Sequence, residues 1–156
     1  MPTLAEFNAL PDAVAVLLPV CASTTWAEAV AAGRPYADLD ALLAAADAAP
    51  VDLADALAGH PRIGDRVHGG SSAKEQAGMA TASDAVRAAM AEGNAEYERR
   101  FGHVYLVCAS GRSADDLLAV LRERLQNSAE EEAARTRREL TAINRLRLTG
   151  LIVQDR

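Results

Sequence analysis

Alanine and leucine dominate this chain, and its apolar residues recur three and four positions apart instead of alternating. That is the period of a helix, and helices are what the pattern predicts almost throughout. Aromatics make up 4% of residues, which leaves little from which to build strands. At 156 residues the chain is long enough to bury a core without a metal or a disulfide framework, so one compact domain is the simplest expectation.

Charge and cysteine usage narrow the function classes. The net charge is −6 and the positive residues form no separate basic arm, which disfavours a nucleic-acid partner. Cys21 and Cys108 are far apart in apolar surroundings and read as buried free thiols of a reducing compartment, with no bridge between them. No cationic start precedes a long apolar run, and no apolar stretch reaches membrane-spanning length; a soluble, cytoplasmic protein with no membrane partner is expected. The last residues, Val153 to Arg156, do not form a peroxisomal address.

Local signals place the helices. Thr3 with Glu6 and Thr25 with Glu28 read as capping boxes, and Pro11 suits a first helical turn. Val14, Leu17, Leu18 and Cys21 form one stripe, which Pro19 breaks or kinks; Leu39, Leu42, Leu43 and Ala46 form another. A short helix from Asp52 to Ala58 ends at Gly59, and a long one from about Ser83 to Arg100 carries Val86, Met90, Gly93 and Tyr97 on one side. Ser113 with Asp116 opens a helix whose buried stripe is Leu117, Leu118, Leu121 and Leu125, and Ser128 with Glu131 caps the last and longest one. The apolar run Val104 to Ala109 has no second strand to pair with and reads as a buried connector. Its main-chain groups then need partners, some of which a polar ligand can supply.

Three side chains invite a chemical reading, each beside a structural one. Pro61 pushes His60 out of helical geometry, so this imidazole projects from a stiff turn after a helix: a proton donor near neutral pH, or a cap on terminal carbonyls. Glu75 follows Ser72 by three, the spacing of a capping box, at a helix start beside Gly69-Gly70 where free N–H groups also suit an anionic or carbonyl-bearing ligand. Arg147 shares the face of Leu140, Ile143 and Leu151 and must find an internal carboxylate, a substrate carboxylate or water. His60, His68 and His103 stand at no zinc-motif spacing, so no metal site is expected, and no phosphate-cradling or dinucleotide fingerprint occurs.

Several separated blocks add a further signal: His60-Pro61-Arg62-Ile63-Gly64-Asp65, Ser72-x-x-Glu75-Gln76, Asn94-x-x-Tyr97-x-x-Arg100-Phe101-Gly102, Cys108-Ala109-x-Gly111-Arg112, Arg124-Leu125-x-Asn127 and Ile143-x-Arg145-Leu146-Arg147-Leu148, with Phe7-Asn8 and Trp26 before them. In this order and spacing the chain resembles the decarboxylases of 2-oxo-4-hydroxy-4-carboxy-5-ureidoimidazoline (OHCU) over nearly its whole length. The resemblance implies an all-α, single-domain bundle of about eight to ten helices over residues 1–156, dimeric, with no cofactor and no metal. It implies decarboxylation of OHCU to (S)-allantoin in urate breakdown. His60, Glu75 and Arg147 correspond to the catalytic residues; Pro61, Ser72, Ala73, Lys74, Gln76 and the main chain of Tyr105, Leu106, Val107, Cys108 and Ala109 correspond to the substrate-binding surface. Tyr105 departs from the pattern by adding a hydroxyl where an apolar aromatic is common. Two rivals remain at this point: a related helical enzyme acting on another small ureido or carboxylated heterocycle, and an inactive helical module that binds a partner through its amphipathic faces.

Overall fold

The computed structural model describes residues 1–65 and 70–153, and describes 70 and 71 by their backbone alone. Nine α-helices and one 3₁₀ turn account for the regular structure of the described residues, which include no strand, so the fold is all-α as expected. The chain divides into two compact units, Met1–Gly59 with Thr141–Arg156, and His60–Leu140.

The first unit contains α1 (Leu4–Ala9), α2 (Ala13–Leu17), α3 (Thr24–Ala32), α4 (Leu39–Ala48) and α5 (Leu53–Ala58), together with the C-terminal part of α9 (Ala129–Leu151). Phe7, Leu17, Trp26 and Leu42 are fully buried in it, and the Trp26 indole N–H donates to the Ala46 carbonyl at 3.1 Å. The Thr3–Glu6 capping box forms as expected. The Thr25 box does not: Ser23 caps α3, its hydroxyl accepting from both Trp26 N and Asp52 N, so one buried oxygen serves two helix starts. Pro11 also sits outside its helix, one residue ahead of the Asp12 cap of α2, whereas Pro19 follows the end of that helix. Arg34 donates to the carbonyls of Phe7, Leu10 and Ala31 at the ends of α1 and α3, adding side-chain bonds to the main-chain ones that Phe7 and Ala31 accept there.

The second unit contains α6 (Gly70–Glu75), the 3₁₀ turn Ala77–Thr81, α7 (Asp84–Phe101), α8 (Ala114–Arg124) and the N-terminal part of α9. Ser83, Ser113 and Ser128 cap α7, α8 and α9 through their hydroxyls. Helix α7 stops at Gly102, which takes the left-handed conformation (φ 79°) that a side chain would resist. Gly93 in α7 lets α8 approach closely, because a Cβ there would lie 2.6 Å from Leu121 Cδ2 in the core. Gly78 is more constrained: a Cβ would run into the Arg112 carbonyl oxygen, a main-chain atom that cannot swing aside. Gly78→Ala should therefore destabilise the protein by about 2 kcal/mol, by displacing the 3₁₀ turn from the start of α8; urea unfolding at neutral pH checks this.

Candidate functional site

The segment Val104 to Ala109 is neither helix nor strand, as expected, and Tyr105, Leu106, Val107 and Ala109 are buried. A buried main chain without a ladder must find its hydrogen bonds elsewhere. Arg124 Nη1 donates to the Leu106 carbonyl at 2.6 Å, and Glu139 Oε1 accepts from the Cys108 N–H at 3.1 Å. Tyr105 points its ring into the core, 5.5 Å from the ring of Tyr97, and its hydroxyl donates to the Leu117 carbonyl at 3.1 Å. The extra hydroxyl of this position is spent internally.

Arg124 is 1% exposed and Glu132 not at all, so the pair is a buried charge pair joining α8 to α9. Arg124 Nε donates to Glu132 Oε1 at 2.7 Å, the Tyr97 hydroxyl donates to the same oxygen at 2.5 Å, and Asn127 Nδ2 donates to Oε2 at 3.0 Å. The guanidinium also lies 4.9 Å from the Tyr105 ring centroid. Burial pushes the Glu132 carboxyl upward, but the bonds from Arg124, Tyr97 and Asn127 outweigh it and hold the group below the ordinary carboxylate range.

The His60 loop is held from two helices. Gly59 ends α5, and half-buried His60 and Pro61 follow outside any helix. Gln76 then spans the loop, its side-chain oxygen accepting from Gly64 N at 3.0 Å and its amide nitrogen donating to the Arg62 carbonyl at 3.3 Å. Asn94 of α7 donates to the Ile63 carbonyl at 2.9 Å, and Arg62 Nε meets both carboxylate oxygens of Glu98. Ser72 and Glu75 are placed differently from the capping-box reading: α6 begins at Gly70, so Ser72 is its third residue and Glu75 its last.

Within this unit the charge of Glu75 reaches Cys108. Burial first, then the carboxylates of Glu139 and Glu75, push that thiol up. Among the predicted site residues, Glu75 and Cys108 are thus linked by charge. A hollow of about 310 Å³ elsewhere in the unit is lined by Arg62, Gly64, Arg87, Asn94 and Glu98 among others, and none of the predicted site residues lines it. His103 bonds the Val104 carbonyl through Nδ1 and packs edge-on against Tyr97, while His68 lies outside the described residues.

Arg147 belongs to the first unit, half-buried on α9, with Nη1 donating to the Val20 carbonyl at 3.0 Å. Burial pushes the neighbouring Cys21 thiol up, against lowering contributions from the Ser23 main chain, Asn144 and the Arg147 charge. Asn144 is buried as well, and its side-chain oxygen has no hydrogen-bond partner among the described residues.

The family model for OHCU decarboxylase matches residues 8–149. The chain belongs to the OHCU decarboxylase family. It is 32% identical over 148 residues to the 2-oxo-4-hydroxy-4-carboxy-5-ureidoimidazoline decarboxylase of Amia calva, covering 86% of this chain and 81% of that protein. It is also 27% identical over 144 residues to the uric acid degradation bifunctional protein TTL of Arabidopsis thaliana, where it covers 84% of this chain but spans only 43% of the relative's length. Among solved structures, a crystal structure of OHCU decarboxylase in the presence of (S)-allantoin superposes with a TM-score of 0.77 at 26% identity, over 87% of this chain and 96% of that one. The crystal structure of (S)-allantoin synthase shares the fold, with a TM-score of 0.72 at 19% identity over 96% of this chain and 54% of that one.

For an OHCU decarboxylase-family chain, the buried polar groups around the connector were the feature that periodicity offered and the sequence reading passed over. Arg124 stands seven residues after Leu117 and three after Leu121, on their face of α8. Glu132, Thr136 and Glu139 repeat at four and three on one face of α9, and all three are buried. The same test that singled out Arg147 would have found them.

Glu132 also gives a pH signature. Its folded-state carboxyl lies below the unfolded value, so its contribution is present above the unfolded value near 4.3 and is lost as pH falls through the lower folded value. Glu132→Gln should cost about 3 kcal/mol at pH 7 and lose less further stability than the wild type between neutral and acid pH; urea midpoints at a series of pH values check both.

Proposed function

We propose that this chain decarboxylates OHCU to (S)-allantoin, a late step of urate breakdown, with His60, Glu75 and Arg147 as the catalytic residues and without a metal or organic cofactor. The observation that carries the reading is the match to the OHCU decarboxylase crystal structure over 87% of this chain and 96% of that one. In support, the charge of Glu75 bears on Cys108, as a shared binding surface for Ser72–Gln76 and Tyr105–Ala109 requires.

In the reaction the bond from the ring carbon to its carboxylate breaks and carbon dioxide leaves. The electron pair moves into the ring imine and carbonyl system, and a proton is delivered to one face. The substrate is its own electron sink, so the protein has to place it and aim donors where charge grows. Arg147 binds an anionic or carbonyl part of the substrate, Glu75 accepts from ring or ureido N–H groups, and His60 polarises or protonates the reacting centre. Pro61, Ser72, Ala73, Lys74 and Gln76 border the substrate, and the main chain of Tyr105 to Ala109 supplies hydrogen bonds. Because the Tyr105 hydroxyl is held by Leu117, that departure from the family pattern leaves the main-chain surface unaltered. We place the enzyme in the cytoplasm as a homodimer built from one such domain per chain. Among the described residues no helix is long and apolar enough to cross a membrane.

Purified, chelator-treated protein should accelerate loss of freshly made OHCU and yield one allantoin enantiomer, followed by absorbance and circular dichroism. His60→Asn and Glu75→Ala should each lower kcat/KM by about 10² to 10⁴ with the helical spectrum retained. Unchanged turnover in either folded variant removes that residue from the mechanism. A wild-type chain inert toward OHCU removes the function.

A further inference from the structure

We propose that Glu139 and Arg124 are positioning residues for the decarboxylation, clamping the Tyr105–Ala109 main chain from one side so that its other side meets substrate at fixed spacing. The proposal rests on the functional reading above, which sets substrate against that main chain.

The two ties fall on the Leu106 C=O and the Cys108 N–H, one on either side of Val107. In this proposal substrate is set against the main chain of Val107, between the two ties. Each tie uses a charged partner, which makes a stronger hydrogen bond than a neutral one, and the Arg124 tie is also short at 2.6 Å. Each partner is itself fixed. Arg124 is held by Glu132 and, through Nη2, by the Thr136 hydroxyl at 3.4 Å. Glu139 keeps its second oxygen 3.4 Å from Arg135 Nε. Beyond the clamped residues the Ala109 carbonyl accepts from Arg112 N at 3.0 Å and closes the turn into α8. An ordinary core could satisfy a connector with neutral groups. Burying a guanidinium and two carboxylates for the purpose adds little net stability, whereas it fixes backbone position closely.

Glu139 is the residue to test, because Arg124 sits too deep for most replacements to fold. Glu139→Met removes the acceptor at similar volume, and Glu139→Gln keeps an oxygen that can accept from Cys108 N. Steady-state kinetics on fresh OHCU should show KM raised about tenfold in Glu139→Met with kcat within about twofold, the loss of one site-fixing hydrogen bond. Glu139→Gln should recover KM to within about threefold of wild type. A purely structural role would reduce the active fraction, lowering kcat while leaving KM in place, and that result overturns the proposal. So does an unaltered KM in folded Glu139→Met, or a Gln variant as impaired as the Met one. If Glu139→Met does not fold, Glu139→Asp, which keeps the charge but falls short of Cys108 N, should raise KM in the same way, and an unaltered KM there is equally fatal. If the wild type does not turn over OHCU, the functional reading fails first. Amide exchange at Cys108 then tests the clamp alone: about tenfold faster in the variant supports it, and equal rates refute it.

Discussion

The ion pair between Arg124 and Glu132 is the contact around which the second unit is organised. Its net contribution to stability is small, since taking both charges out of water costs nearly what their attraction returns. Its structural consequences are large. One guanidinium satisfies Glu132 on α9 and the carbonyl of Leu106 on the connector, and lies against the rings of Tyr97 and Tyr105. One carboxylate collects Arg124, the Tyr97 hydroxyl and the Asn127 amide. Three helices and an irregular segment are thereby fixed by directional bonds that apolar packing alone cannot supply.

Most of the helical framework was legible in the sequence because its signals are local. Asp52, Ser83, Ser113 and Ser128 cap the helices that follow them, and the stripes Leu42-Leu43-Ala46 and Leu117-Leu121 are buried where the period placed them. The misses share a physical cause. Ser23 caps α3 in place of Thr25 because its hydroxyl also bonds Asp52 N, 29 residues away. Ser72 falls inside α6, and Gln76, just past its end, bonds Arg62 and Gly64 more than ten residues away. Tertiary partners of this kind have no local signature.

The site was legible to a different degree. Residue type and pattern single out His60, Glu75 and Arg147 as candidates, and the resemblance gives them their proposed roles; the side chains that hold the connector are not singled out, although Arg124 and Glu139 occupy positions that periodicity marks as buried. A charged residue on an apolar face is informative at Arg147, and the same test applies to Arg124, which shares the face of Leu117 and Leu121. The structure distinguishes them by burial: Arg147 is half-buried and bonds a carbonyl of the first unit, whereas Arg124 is enclosed with its countercharge. Resemblance to the family had flagged Arg124 and Asn127 as part of a block without saying what they do, and their bonds to Glu132 and Leu106 supply the reason.

The main-chain binding surface proposed for Tyr105–Ala109 has a consequence for how that segment tolerates change. The side chains of Tyr105, Leu106 and Val107 are committed to the core, so substitutions there act on packing and reach the substrate only through backbone displacement. Backbone displacement is what bonds to Leu106 and Cys108 resist. The Tyr105 hydroxyl fits this picture, because it bonds the Leu117 carbonyl inside the core. In a fold whose core is mostly aliphatic, a few buried polar bonds can therefore hold the proposed recognition surface constant while the apolar residues around it vary in size, so long as total volume is kept.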